Sequence, residues 1–374
     1  MDLKRLKYQY ILDDLKKKMV FLVGPRQVGK TWLSKKLMAE YKAPIYLNYD
    51  IYKDRELIRK HKWPEISDLI IFDELHKMKN WKNYLKGVFD DKKSNLHILV
   101  TGSARLEVYR KAGDSLAGRY FIHHLLPLTF VETKVLHDNS IIERLISRGG
   151  FPEPFLAEND VDAQKWRNQY ADSLLREDVV DFASVIDMKA MREIFERLQR
   201  SVGSNISYSN IAGDIGISPT TVRRYISLLE SLYIIFSIRP FSTKISRSLL
   251  KEPKIYFYDT GLVVGDEGSK TENMVAVFLL THLEYKNDIL GEQNTLAYIR
   301  TKDGKEVDFA LVDSNKEIKE LIEVKTKDTS IASSLKYFVE KYSYKGMQLV
   351  KEPTEEQLDS KVNIQTMSIE KYFS

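Results

Sequence analysis

The chain contains no cysteine. That excludes a disulfide framework, a thiolate metal site and a cysteine nucleophile. Secreted chains commonly carry disulfides, so a cytoplasmic location is the expectation. No apolar run approaches the length of a membrane span, and no membrane partner is expected. Residues 1–18 are charged and helical in pattern, without the apolar core of a secretory signal. A strong excess of one charge is also missing, since 58 Lys and Arg stand against 53 Asp and Glu, a net charge of +5. Such a balance permits local basic patches and does not by itself name a nucleic-acid partner. Internal repeats and low-complexity linkers are absent as well. The 374 residues, 43% hydrophobic and 30% charged, suit two to four folded domains.

What is present begins at residue 19. Met19 to Val23 is an apolar run that predicts a buried strand. Gly24, Pro25, Arg26, Gln27, Val28, Gly29, Lys30 and Thr31 follow, and a helical pattern starts at Trp32. Strand, glycine-bounded loop and helix in that order are the context of a phosphate-binding loop. The glycines let backbone N–H groups turn inward toward phosphate oxygens, and the helix N-terminus adds a positive end. Gly24 through Trp32 are therefore the candidate ATP contacts. Lys30 is expected at the β- and γ-phosphates, and the Thr31 hydroxyl at Mg²⁺.

Ile45 to Asp50 predicts a second strand. Asp68 to Glu74 then reads as a third buried strand delivering two acids at its C-terminal end, where parallel sheets place their sites. Asp73 is the candidate for the Mg²⁺ shell and Glu74 for the catalytic base that activates water. His97 to Ser103 is a fourth strand, with Thr101 or Ser103 able to read a γ-phosphate or simply to end the strand. Tyr120 to Leu126 is the fifth. Arg119, just before it, is a candidate catalytic arginine acting in its own or a neighbouring subunit, or else a solvated side chain. Five apolar strands alternating with helices predict a parallel α/β sheet.

Gly24–Thr31, Leu69–Lys77, Ile98–Arg105, Leu116–Arg119 with Leu126-Pro127-Leu128, and Gly149-Gly150-Phe151-Pro152-Glu153 occur in one order. Together they resemble the prokaryotic AAA-type ATPases whose C-terminal part is the domain of unknown function 4143. The resemblance spans nearly the whole chain. It implies a P-loop NTPase sheet of the additional-strand, AAA-like type, a helical lid, a winged helix and a C-terminal α/β restriction-endonuclease-like domain. It also implies ATP rather than GTP. The expected boundaries are 1–139 for the ATPase core, 140–202 for the lid, 203–262 for the winged helix and 263–374 for the tail.

Helical patterns at Ile141–Ser147, Val161–Val180 and Met188–Val202 fit the lid, with Arg148 as a sensor or an exposed arginine. Tyr208–Ile215, a Gly216 turn and a helix capped by Ser218 with Pro219 at its first position make a helix-turn-helix. The strands Tyr233–Ile238 and Lys254–Tyr258 would flank a basic wing bearing Lys244, Arg247 and Lys251. A DNA reader would use Thr220, Thr221, Arg223 and Arg224 in the major groove, with Tyr225 beside them. A protein-packing winged helix is the alternative.

In the tail, Thr271–Leu283 predicts a helix bearing Glu272. Leu296–Thr301 and Glu306–Val312 form a hairpin bearing Asp308, and Leu321–Lys325 is a third strand. Asp308, Glu323 and Lys325 match the D…ExK pattern of metal nucleases, with Glu272 as a further Mg²⁺ ligand. The alternative is a polar strand face. Thr329–Ser374 would close the sheet. The function expected is Mg²⁺-dependent ATP binding and hydrolysis coupled to DNA. A signalling switch with protein partners and an ATP-regulated DNA nuclease remain alternatives, and homo-oligomer formation is compatible with each.

Overall fold

The computed structural model describes residues 3–102, 116–136, 138, 140–174, 187–242, 252–327, 330–352, 357–359 and 363–374. These residues form two compact units: Met1–Leu126 with Ser231–Tyr233, and Pro127–Glu230 with Ile234–Ser374.

The first unit is built on five parallel strands. They are β1 (Met19–Val23), β2 (Pro44–Asn48), β3 (Leu69–Asp73), β4 (His97–Thr101) and β5 (Tyr120–His124), in spatial order β2-β3-β4-β1-β5. Every residue of β1 and β3 is buried, as continuous apolar runs covered on both faces require. The strand β4 lies between β1 and β3, which is the additional-strand arrangement. The strand β1 has the expected bounds, while β2, β3, β4 and β5 end one or two residues before the expected C-terminal residue. Glu74, after β3, lies in the turn that follows its strand.

The second unit holds helices and one mixed sheet. Helices Ile141–Arg148, Asp160–Ser173 and Met188–Arg200 match the expected lid patterns, and residues 175–180 of the middle one lie outside the described residues. The glycine pair between the first two has a steric origin. Gly149 adopts φ 73°, and a Cβ there would sit 2.0 Å from Asp259 Oδ1. A Cβ on Gly150 would sit 2.3 Å from the Leu128 carbonyl oxygen. Phe151 can then pack, almost fully buried, with Trp166 and Tyr170. Asp259 pairs with buried Arg167, whose guanidinium also donates to the Arg148 carbonyl at 3.1 Å. Burial pushes the Asp259 carboxyl up to about 6 in spite of that arginine.

Helix Tyr208–Ile215 is capped by Ser207 and closed by Gly216 in the left-handed region, and helix Pro219–Ser231 starts on the Ser218 hydroxyl. The hairpin β6 (Ile235–Pro240) and β7 (Lys254–Phe257) follows. Its basic connection, with Lys244, Arg247 and Lys251, lies outside the described residues. The tail adds β8 (Thr295–Arg300), β9 (Glu306–Val312), β10 (Ile318–Lys325), β11 (Gly346–Val350), β12 (Gln357–Asp359) and β13 (Ile364–Ser368). Hairpin and tail share one eight-stranded sheet, because β6 pairs in parallel with β8 at Arg239–Ala297 and Pro240–Tyr298. Helix Glu267–Leu290 is longer than expected at both ends. The Asp266 side chain caps it, and Gly291 ends it in the left-handed conformation.

Gly149→Ala adds both a clash with Asp259 and a glycine-only backbone conformation. It should destabilise the second unit by about 2–4 kcal/mol, read as a lower urea midpoint at unchanged slope.

Candidate functional site

The loop after β1 curls as its glycines allow. Gly24 (φ 143°) approaches the end of β5 so closely that a Cβ would lie 2.1 Å from the Leu125 carbonyl oxygen. Gly29 (φ 99°) caps helix Lys30–Met38, and Gln27 between them is also left-handed. The Lys30 ammonium, nine-tenths buried, folds onto the loop and donates to the carbonyls of Gly24 at 2.8 Å and Pro25 at 2.5 Å. Trp32 is well exposed on the first turn of the helix.

Arg5 braces this loop from behind. Its buried guanidinium donates to the Val28 carbonyl at 3.0 Å and to the Leu126 carbonyl. No pattern marked it beforehand, since it is one cation in a charged, helical-looking segment.

The strand β3 brings Asp73 and Glu74 to the same sheet edge. Asp73, 7% exposed, accepts from the Thr101 hydroxyl at the end of β4 and from the Tyr46 hydroxyl on β2. Tyr46 also interacts with the side chains of Thr31 and Asn48. Carboxylate and hydroxyl oxygens from three strands and the P-loop helix thus converge, a donor set of the hard kind that suits Mg²⁺. Thr101 therefore orients Asp73, whereas Ser103 lies outside the described residues. Tyr46 was not anticipated, because a tyrosine in an apolar strand reads as core.

Glu74 is left-handed at φ 56°, an uncommon conformation for a non-glycine residue. Its N–H is held by the Thr101 carbonyl at 3.1 Å. Lys77 and His76 lie 3.6 Å from its carboxylate. Burial, then the negative charge of Asp73, raises its carboxyl above the ordinary range, against the pull of Lys77. A raised carboxyl pKa is what a general base working near neutrality needs.

Arg119 departs from expectation. It immediately precedes β5, and its carbonyl accepts from Met19 at the start of β1. That is the N-terminal edge of a parallel sheet, opposite the phosphate loop. Its guanidinium pairs with Asp90 at 2.8 and 3.1 Å. Within its own chain it does not join this site.

In the second unit, Arg223 and Arg224 are exposed, packed over the rings of Tyr208 and Tyr225. Thr220 is exposed, and Thr221 is half-buried against the Ser218 hydroxyl. Tyr225 faces inward instead. It is 2% exposed, and its hydroxyl accepts from the Asp187 N–H. Arg148 is half-buried rather than exposed, and its guanidinium holds Asp160 and the Ala157 carbonyl.

The tail acids cluster as the D…ExK pattern predicts, but around a lysine. The ammonium of Lys254, from β7, lies 2.8 Å from Glu306, 3.6 Å from Asp308 and 3.7 Å from Glu272. Lys325 pairs with Glu323 at 2.8 Å. Burial and the nearby Asp308 charge push Glu272 and Glu323 up to about 7. Lys254 is held above its ordinary range by the surrounding carboxylates, which outweigh its desolvation. Four acids already share two ammonium groups. This arrangement does not fit a resident Mg²⁺.

Arg5→Ala should leave the Val28 and Leu126 carbonyls without their donor, at about 2–3 kcal/mol. Hydrogen exchange should show faster exchange at residues 24–30 than at the centre of β3.

Family models match three stretches of the chain: an AAA domain at residues 16–134, a domain of unknown function (DUF8612) at 139–268, and domain of unknown function 4143 at 267–372. An uncharacterized protein of Mycobacterium tuberculosis is 29% identical over 249 residues, 66% of this chain and 55% of that protein. The chain thus spans about half the length of that relative. An uncharacterized protein of Methanocaldococcus jannaschii is 25% identical over 335 residues, 80% of this chain and 74% of that one. Among solved structures, a Walker-type ATPase of Pyrococcus abyssi aligns at TM-score 0.48 and 16% identity, over 70% of this chain and 95% of that one. The RuvB Holliday junction branch migration motor of Thermotoga maritima aligns at 0.32 and 18%, over 62% and 87%. The chain thus carries an AAA domain in front and domain of unknown function 4143 at its end, the two parts of the family that its motifs resemble.

Proposed function

We propose that the first unit binds ATP with Mg²⁺ and hydrolyses it, and that the nucleotide state is coupled to DNA through the helix-turn-helix of the second unit. The observation that carries the first part is the meeting of Lys30, Thr31, Asp73 and Glu74 at one sheet edge, with β4 between their strands. Backbone amides of residues 26–30 and the Lys30 ammonium would bind the phosphates once Lys30 leaves its two carbonyls. Thr31 and Asp73 would hold Mg²⁺, which supplies charge neutralisation on the phosphates when bound. Tyr46 and Thr101 keep Asp73 aimed into the loop. Glu74, fixed by its strained backbone, would orient and deprotonate the attacking water. Asp73 is held by two hydroxyl donors while burial raises the Glu74 carboxyl, so the two acids differ in environment.

The DNA part rests on the exposed Thr220, Arg223 and Arg224 at the start of a capped second helix. Arg223 lies over the Tyr208 ring, and a guanidinium held on a ring face can turn its planar N–H edge to a base or phosphate.

Lys30→Ala should abolish binding of a fluorescent ATP analogue in Mg²⁺ buffer. Glu74→Gln should retain binding and lose hydrolysis by about 100-fold or more. A Glu74→Gln protein hydrolysing at the parental rate overturns the role of that residue. Failure of the unaltered protein to bind ATP overturns the reading as a whole.

DNA should stimulate the ATPase at moderate salt, and Arg223→Ala with Arg224→Ala should remove the stimulation. The same pair should lower the log–log salt slope of DNA affinity by about 2. Absence of DNA binding at low salt would favour a protein partner for the winged helix.

A further inference from the structure

We infer that Lys254 is the resident cation of the tail's acid cluster and keeps divalent metal ions out of it. The inference stands apart from the nucleotide reading, since every group involved lies in the second unit.

Lys254 is 2% exposed, so its charge has to be matched by neighbours. It is matched by carboxylates from two elements, Glu306 and Asp308 on β9 and Glu272 on helix Glu267–Leu290. The side chain has no easy way to withdraw. Its backbone is paired with Ile238 in the hairpin and with Asn205 on the other side, and the Tyr298 ring lies 5.5 Å from the ammonium.

The acids are also spent on other donors. Glu272 accepts from the Tyr256 hydroxyl at 2.7 Å, Asp308 from the Val324 N–H at 3.0 Å, and Glu323 from Lys325. A divalent ion needs several oxygens turned onto one point at about 2.0–2.6 Å. With an ammonium group already among them, entry of the ion would bring two cations together in a buried site.

The acids nonetheless keep the makings of a metal site. The second oxygen of Glu323 is buried without a hydrogen-bond partner among the described residues. Asp308 and Glu272 lie near enough to Glu323 to act on its carboxyl or to be acted on by it. Removing the lysine charge should therefore convert the cluster from a strand anchor into a cation site. In the unaltered chain the acids anchor β7 of the hairpin to the tail.

The test uses the full-length protein without nucleotide, titrated with Mn²⁺ and followed by the EPR signal of the free ion. Each protein is compared with its own Asp308→Asn version, which removes any binding at the P-loop from the difference. The unaltered protein should show no Asp308-dependent Mn²⁺ site up to about 1 mM. Lys254→Gln should gain one such site, bound at least about tenfold more tightly than that limit. An Asp308-dependent site in the unaltered protein overturns the proposal. So does a folded Lys254→Gln protein, judged by circular dichroism, that gains none. Should Lys254→Gln not fold, Lys254→Met, which keeps the apolar stem, takes its place under the same criteria. The unaltered protein against Asp308→Asn decides in either case.

Discussion

The first unit depends on β4 being threaded between β1 and β3. Thr101 pairs in register with Leu22 on one side and Asp73 on the other. One threonine thereby fixes how the strand before the phosphate loop and the strand before the acids end relative to each other. A slip of one residue in the β3–β4 ladder would carry Asp73 about 3.3 Å along the strand relative to Thr101, out of reach of its hydroxyl. The apolar residues of three buried strands hold the register, and the polar chemistry is confined to their last residues and the turns beyond.

Much of this was legible in the sequence because the runs are short, apolar and bounded by the residues that matter. Met19–Val23 and Leu69–Asp73 could hardly be anything but buried strands, and the glycine spacing between 24 and 29 announced the loop. The position of β4 was not legible. Strand order depends on long-range pairing, which the order of the apolar runs along the chain does not show. Arg119 lies away from its own chain's site for a reason of topology. A residue just before a parallel strand sits at the edge away from the site, and Arg119 precedes β5. Arg5, Tyr46 and Lys254 gave no signal at all. Each is a polar residue of common type whose role comes from a partner 23 or more residues away.

Two solutions to a buried charge can be compared in the second unit. Arg167 and Asp259 form a pair walled by Gly149 and Gly261, where the absence of side chains makes room for the guanidinium and the carboxylate. Packing thus accounts for the glycines of the Gly-Gly-Phe-Pro stretch. Lys254 faces an excess of acids, and the cluster settles that excess by letting burial and mutual repulsion make two carboxyls weak. The first arrangement rigidifies a turn, while the second ties a hairpin to a sheet.

The parallel pairing of β6 with β8 makes the hairpin and the tail mechanically continuous. The boundary expected near residue 262 falls within a covalent connection whose two sides share a hydrogen-bonded sheet. A fragment ending there would present a raw strand edge along β6, and the complementary fragment would present one along β8. Bare edges of this kind recruit other chains. Separate expression of the two halves is therefore a route to aggregation, and the shortest well-behaved piece of this region should contain both.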